Sequence, residues 1–146
     1  MRIPHDSVVL VTDGRKRLVF RNEGDAQCLN LVVVSAAEDA NPKTREQVTD
    51  LAGRLSGPVT GGGSLQPADA HEVEEKRFAA ETADELRRGV LTGEYARLVV
   101  MAPAKTLGQL RKNYHPEVEK RMLREIGKDV TGHPVGEIEK ILMAVD

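Results

Sequence analysis

The carboxylates best placed to do chemistry are Asp13, Glu72 and Glu75. Asp13 ends the first apolar run, and the two glutamates open a long helical pattern. A fold that brought them together would assemble acids of the kind that hold divalent ions in metal-dependent nucleases. The set is short of one member, because the run Arg97 to Met101 ends in Ala102-Pro103, with no acid. Asp13 also opens an Asp-Gly turn, a simpler role for it. Of the four histidines, none stands in a zinc-type pair. His71 shares a helix face with Glu74 and Glu75 and reads as part of a solvated first turn. His115 and His133 each precede a proline at a helix start. No residue is assigned to a metal and no cofactor is expected. The chain has no Walker loop, no G-x-S-x-G elbow and no dinucleotide fingerprint.

Basic residues carry a clearer signal. Between Pro103 and Arg124 lie Lys105, Arg111, Lys112, Lys120, Arg121 and Arg124, against only Glu117 and Glu119. Six bases against two acids give a local charge of +4 in a chain of net charge −2. Converging on one edge of a sheet, Lys105, Arg111, Lys112, Lys120 and Arg121 would track phosphates; scattered, they are a solvated helix surface. Aromatics make up only 3% of the chain (Phe20, Phe78, Tyr95 and Tyr114), too few for a base-stacking platform. Any RNA contact should therefore rest on backbone charge and shape.

These residues need a scaffold, and 146 residues suffice for one domain with a core. Ser7 to Thr12 reads as a strand covered on both faces. Asp13-Gly14 turns the chain into a second strand over Arg17 to Arg21, and Leu29 to Ala36 is a third. From Ala37 to Ala68 periodicity stops, and the segment carries Asn41-Pro42, Gly53, Gly57-Pro58, Gly61-Gly62-Gly63 and Pro67. So long an irregular loop is usually functional or disordered; it could also hide a short strand near Arg54-Leu55. Asp69 to Leu91 is a helix, with Asp69 and Glu72 spaced as a capping box. Its buried stripe is Ala79, Ala83, Leu86 and Val90. Arg97 to Met101 is a fourth strand and Lys105 to Leu110 a short helix. Another helix starts at Pro116, with Val118, Met122 and Ile126 inward, and Gly127 to Val130 reads as part of a fifth strand. The last helix opens at Pro134 and turns Val135, Ile138, Ile141, Leu142 and Val145 inward. The expected architecture is a single α/β domain over residues 1–146, with a mixed five-stranded sheet in the order β-β-β-α-β-α-α-β-α. That order is also found in ribonuclease-H-like folds.

The single cysteine, Cys28, opens an apolar run and is expected to be a small buried hydrophobe in a reducing compartment. The N-terminus shows no signal peptide, so the expected location is the cytoplasm, without a membrane partner.

Several stretches resemble the host-attachment-protein family. They include Ile3-Pro4-His5-Asp6 with Val11 to Arg15, Thr44-Arg45-Glu46-Gln47, Asp50 with Gly53-Arg54, His71-Glu72 with Arg77-Phe78-Ala79, Ala102-Pro103-Ala104-Lys105-Thr106-Leu107-Gly108, and Asp129 to Pro134. That family is similar to the central domain of eukaryotic and archaeal release factors, where a Gly-Gly-Gln loop promotes ester hydrolysis at the peptidyl-transferase centre. The resemblance implies a loop at Gly61, Gly62 and Gly63 before the long helix. Here Ser64 stands where that glutamine would be, and the nearest glutamine is Gln66. The resemblance thus implies an accessory domain that contacts the ribosome or structured RNA, without the usual hydrolytic glutamine. It also implies a loop around Thr44, Arg45, Glu46, Gln47 and Arg54 offered to a partner, and an indirect effect on attachment to host cells. Other readings are a hydrolase of ester-linked tRNA, a metal-dependent nuclease, or an adhesion-related module that binds protein alone.

Overall fold

The computed structural model describes residues 1–38 and 67–145. Its elements are β1 (Val8–Thr12), β2 (Lys16–Asn22), β3 (Leu31–Glu38), α1 (Pro67–Leu91), β4 (Leu98–Met101), α2 (Ala104–Arg111), α3 (Pro116–Arg121), β5 (Met122–Ile126) and α4 (Val135–Ala144). The strands form one mixed sheet in the order β3-β2-β1-β4-β5. β1 pairs antiparallel with β2 and parallel with β4. β3 extends the antiparallel side and β5 the parallel side. The single α/β sheet expected from the pattern is present.

β1 sits at the centre because its sequence suits no other place. All five of its residues are buried. Its side chains alternate between two cores, as a pleated strand requires. Val8 and Leu10 join Val19, Leu98 and Val100 under Ala79, Leu86, Val90, Leu107, Leu110 and Val118 of α1, α2 and α3. Val9 and Val11 join Phe20, Leu31, Val99 and Met101 over Ile3, Ile126, Val130, Ile138 and Leu142. Each such side chain stabilises the fold by about 1.5–3 kcal/mol when fully buried.

The long helix α1 buries the stripe expected of it: Ala79, Ala83, Leu86 and Val90. Its outer face carries ion pairs at helical spacing, Arg77 with Glu74 and Glu81, and Arg87 and Arg88 with Asp84. The Arg87 guanidinium holds the Asp84 carboxyl below its usual range. Gly93 ends the helix in the left-handed region at φ 84, the conformation glycine adopts most readily. The helix begins at Pro67, two residues before the capping aspartate expected from the sequence.

Two polar clusters set the registers of these elements. Arg17 of β2 and Glu85 of α1 form an ion pair at 2.6 Å, with side chains only 12% and 16% exposed. Ser35 of β3 donates to Glu85 at 2.9 Å, Arg17 donates to Thr82 at 3.1 Å, and the guanidinium lies 5.0 Å from the Phe78 ring centre. Asn22, fully buried, organises the loops at the other end of the sheet. Its amide donates to the carbonyls of Ile3, Pro4 and Asp25 and accepts from the N–H groups of Gly24 and Asn30.

Two expectations are corrected. Met122 and Ile126 do not continue the helix from Pro116, which stops at Arg121; they bound β5, and Gly127 to Val130 lies beyond that strand. A register shift between Leu98 and Val99 accounts for the misreading. It lets Met122 pack in one core and Ile126 in the other, so an apolar spacing of four mimics a helix face. Cys28 is exposed rather than buried. It lies in a turn before β3, where its N–H donates to Asp25 at 2.8 Å. β3 runs to Glu38 and α1 starts at Pro67, so both ends of the expected loop, 37–38 and 67–68, belong to regular elements. Any strand near Arg54-Leu55 lies outside the described residues.

Gly89 tests the packing of α1 against the chain that follows it. A Cβ placed there would lie 2.1 Å from the Tyr95 ring, whose N–H is fixed to the Gly89 carbonyl at 2.9 Å. Helix propensity alone would make Gly89→Ala stabilising by about 1 kcal/mol. The ring contact reverses the sign, and a net loss of about 1–3 kcal/mol is expected in denaturant unfolding.

Candidate nucleic-acid interface

The basic residues fall into two groups at opposite ends of α2. Lys105 lies in its first turn, just beyond the carboxyl end of β4. Arg111 ends the helix, about 10 Å away at 1.5 Å per residue, and Lys112 is its C-cap. Lys120 and Arg121 end α3, and Arg124 lies on β5. The +4 segment is therefore divided: Arg111, Lys112, Lys120 and Arg121 lie at the ends of α2 and α3, Arg124 is in register with Val99 and belongs to the other face of the sheet, and Lys105 stands at the far end of α2.

The larger group covers the C-terminal end of α2 and α3, and its four residues Arg111, Lys112, Lys120 and Arg121 are exposed. Arg111 pairs with Glu125 at 3.1 Å and Lys120 with Glu117 at 3.1 Å. Lys112, Arg121 and Arg124 form no ion pair with the described residues. Exposed pairs of this kind are worth at most about 1 kcal/mol, so a phosphate can compete for Arg111 and Lys120. The local folding is explicit: the His115 Nδ1 caps α3 by accepting from the Glu117 N–H at 3.0 Å, and Pro116 takes the first helical position. Val118 then anchors α3 in the core.

Tyr114 supports this region from beneath. It packs against the core, and its hydroxyl is buried with no aligned hydrogen bond. Burial, and next the Glu125 carboxylate, push its phenol well above the ordinary range.

Lys105 belongs to a separate polar rim at the carboxyl ends of the parallel strands, where open α/β sheets usually place their ligands. Its Nζ lies 3.6 Å from Glu75, and the Glu75 side chain crosses Gly14 so closely that a Cβ there would be 2.8 Å from Cγ. Arg15 approaches His71 with Nη2 at 3.0 Å from Nδ1; arginine has only donors, so that nitrogen accepts. Asp13 receives the N–H groups of Arg15 and Lys16, both at 2.7 Å, and the Thr131 hydroxyl at 3.1 Å. Asp13 thus acts as the turn residue its Asp-Gly sequence suggested, and it also ties the turn to the loop after β5. Among the described residues, no group of three or more histidine, cysteine, aspartate or glutamate side chains is placed to hold a metal ion.

The Asp13–Thr131 and Arg15–His71 contacts were missed by sequence reasoning. The only local signal was Asp129-Val130-Thr131, an Asx-type turn in which Asp129 accepts from the Thr131 N–H and hydroxyl. The remaining candidates, Gly61, Gly62, Gly63, Ser64 and Gln66 and the group Thr44, Arg45, Glu46, Gln47 and Arg54, lie outside the described residues.

Tyr114 gives a pH dependence with a definite sign. Its folded-state pKa is raised, so its contribution to stability is complete below the unfolded value of about 10 and is lost as pH rises beyond it. Tyr114→Phe should change stability near neutral pH by less than about 1 kcal/mol, because it removes a hydroxyl with no aligned partner. The variant should also lose less stability than the parent between neutral pH and about pH 11. Denaturant unfolding at both values checks this; equal alkaline losses in the two proteins would contradict the assignment.

No curated protein matches this chain. Residues 6–142 match the family model described as bacterial archaeo-eukaryotic release factor family 12. The match spans the sheet, the first three described helices and most of α4, both basic groups and the segment between β3 and α1, and the chain belongs to that release-factor-like family.

Proposed function

We propose that this protein is an accessory domain of the translation apparatus that contacts the ribosome or structured RNA through backbone phosphates. The observation that carries the reading is the family membership over residues 6–142, joined to exposed basic residues at the ends of α2 and α3. Lys112 and Arg121 lead the contact, with no competing carboxylate among the described residues, and Arg111 and Lys120 add to it by exchanging their carboxylates for phosphate. Lys105 lies at the far end of α2 and serves a second contact beside the segment between β3 and α1.

The aromatic residues favour charge over base reading. Phe20, Phe78 and Tyr95 are buried, and the Tyr114 hydroxyl is buried as well. None offers the open ring face on which a single-stranded base would stack. Hydrolysis of ester-linked tRNA is the weaker reading, because Ser64 follows the three glycines in place of glutamine. The segment containing Thr44 to Arg54 is offered to a partner of the same apparatus, with the protein in the cytoplasm. An effect on attachment to host cells would then arise indirectly, through translation of surface components. Among the described residues, no helix is long and apolar enough to cross a membrane.

Co-sedimentation of the full chain with ribosomal particles, at low and high salt, tests the proposal. The native protein should co-sediment at low salt and dissociate as salt rises. Lys112→Glu with Arg121→Glu should weaken binding at low salt and lower the salt slope by about 1 for each phosphate no longer neutralised. No co-sedimentation at low salt would overturn the translation reading. An unchanged slope in the double variant would overturn the assignment of these two residues.

A further inference from the structure

The sheet has two edges, and they are built differently. β5 carries Arg124 and Glu125, charged residues of the kind that keep an edge from pairing with a neighbour. β3 carries neither charge nor proline from Leu31 to Ala37. It pairs with β2 on one side, and among the described strands nothing pairs with the other. The Leu31 N–H is taken by the Glu139 carboxylate of α4 at 2.8 Å, and the backbone groups from Val32 onward are a template for another strand.

The side chains of β3 strengthen the contrast. Val32, Val33 and Val34 are 41%, 48% and 45% exposed. The other large exposed apolar residues among those described, Val73, Leu91, Leu123 and Met143, stand singly in the sequence. Single exposed residues are ordinary, whereas three in succession on an edge strand leave both faces of that edge apolar. The run follows from the ladder. Phe20 pairs with Val33 and Val19 with Ser35, so Val34 is an extra residue that bends the strand.

We propose that β3 pairs antiparallel with β3 of a second copy of this chain, joining the two sheets across a two-fold axis. Shape and charge select this occupant. The strand divides into a bulky half, Leu31 to Val34, and a small half, Ser35 to Ala37. Antiparallel self-pairing lays the valines of each copy against the small residues of the other, an isologous fit from one sequence. Glu38 is the strand's one charge. With Val34 opposite Ser35, the two copies of Glu38 lie about 23 Å apart at 3.3 Å per residue, beyond the Debye length at physiological salt, and the ladder stops short of them, at the Glu139 carboxylate on the Leu31 N–H. A parallel pairing would set them side by side. The bend at Val34 limits the straight ladder to a few residues, so the association is reversible and depends on concentration.

Sedimentation equilibrium of the full chain over a wide dilution series tests this. The native protein should shift from monomer to dimer as concentration rises. Val33→Lys should remain monomeric throughout, and Leu123→Lys, on the other edge, should dimerise like the native chain. Val34→Lys is the second probe should Val33→Lys lose its native circular dichroism. A native chain that stays monomeric at every concentration overturns the proposal and leaves the edge to a strand from a different protein. A dimer that survives both valine substitutions in folded protein overturns it also, by placing the interface elsewhere.

Discussion

The structure depends on burying β1 on both faces. Five consecutive residues without an exposed side chain can be accommodated only by covering the sheet above and below. That requirement places α1, α2 and α3 on one face and α4 with the N-terminal segment on the other. It also explains the change of strand direction within one sheet. β2 reaches β1 through a tight turn and so must run antiparallel, whereas β4 arrives after a helix and can run parallel. Both arrangements place apolar neighbours beside Val9 and Leu10, and the central strand leaves no backbone edge open to water.

Apolar packing fixes the layers but leaves their registers loose, and the buried polar groups remove that freedom. The Arg17–Glu85 pair joins the hairpin to the middle of α1, with Ser35 and Thr82 satisfying further atoms. A buried pair of this kind adds little net stability compared with a hydrophobic replacement, since desolvation offsets the attraction. Its effect here is positional: sliding α1 by one turn would leave two charges under the helix without partners. Asn22 does the same for the loops at the opposite end, where five hydrogen bonds hold the N-terminal segment and the turn before β3. The Thr131 hydroxyl performs the smaller version of this at Asp13.

Much of this was legible in the sequence, and the exceptions share a cause. Val8 to Val11, the Asp-Gly turn and the Ala79–Ala83–Leu86–Val90 stripe each carry a local period or turn chemistry that decides their state. Met122 and Ile126 do not, because an irregular strand pairing gave them the spacing of a helix. Cys28 sits beside an apolar run yet belongs to a turn that Asp25 and Asn22 impose from a distance. The basic segment was legible as composition but not as geometry. Its charge said nothing about α2 separating Lys105 from Arg111, or about which bases face carboxylates. Such facts depend on residues far apart in sequence, Glu75 for Lys105 and Glu125 for Arg111. The release-factor likeness was legible in motifs; contacts such as Arg15 with His71 were not, being 56 positions apart.

The placement of charge also bears on how the fold divides its work. The carboxyl ends of β1, β4 and β5 hold a rim in which cations and anions neutralise one another, Lys105 with Glu75 and the Asp13 carboxylate under two N–H groups and a hydroxyl. The opposite end of α2 holds Lys112 and, on α3, Arg121, which pair with no carboxylate among the described residues, beside Arg111 and Lys120, which pair with Glu125 and Glu117. A field of one sign attracts a polyanion over a Debye length of about 10 Å, whereas a balanced rim acts only at contact distance. On the proposed reading, the basic end would make the first, salt-sensitive approach to a polyanion. In a chain of net charge −2 the two sets are kept apart, and the element that separates them is the short helix α2.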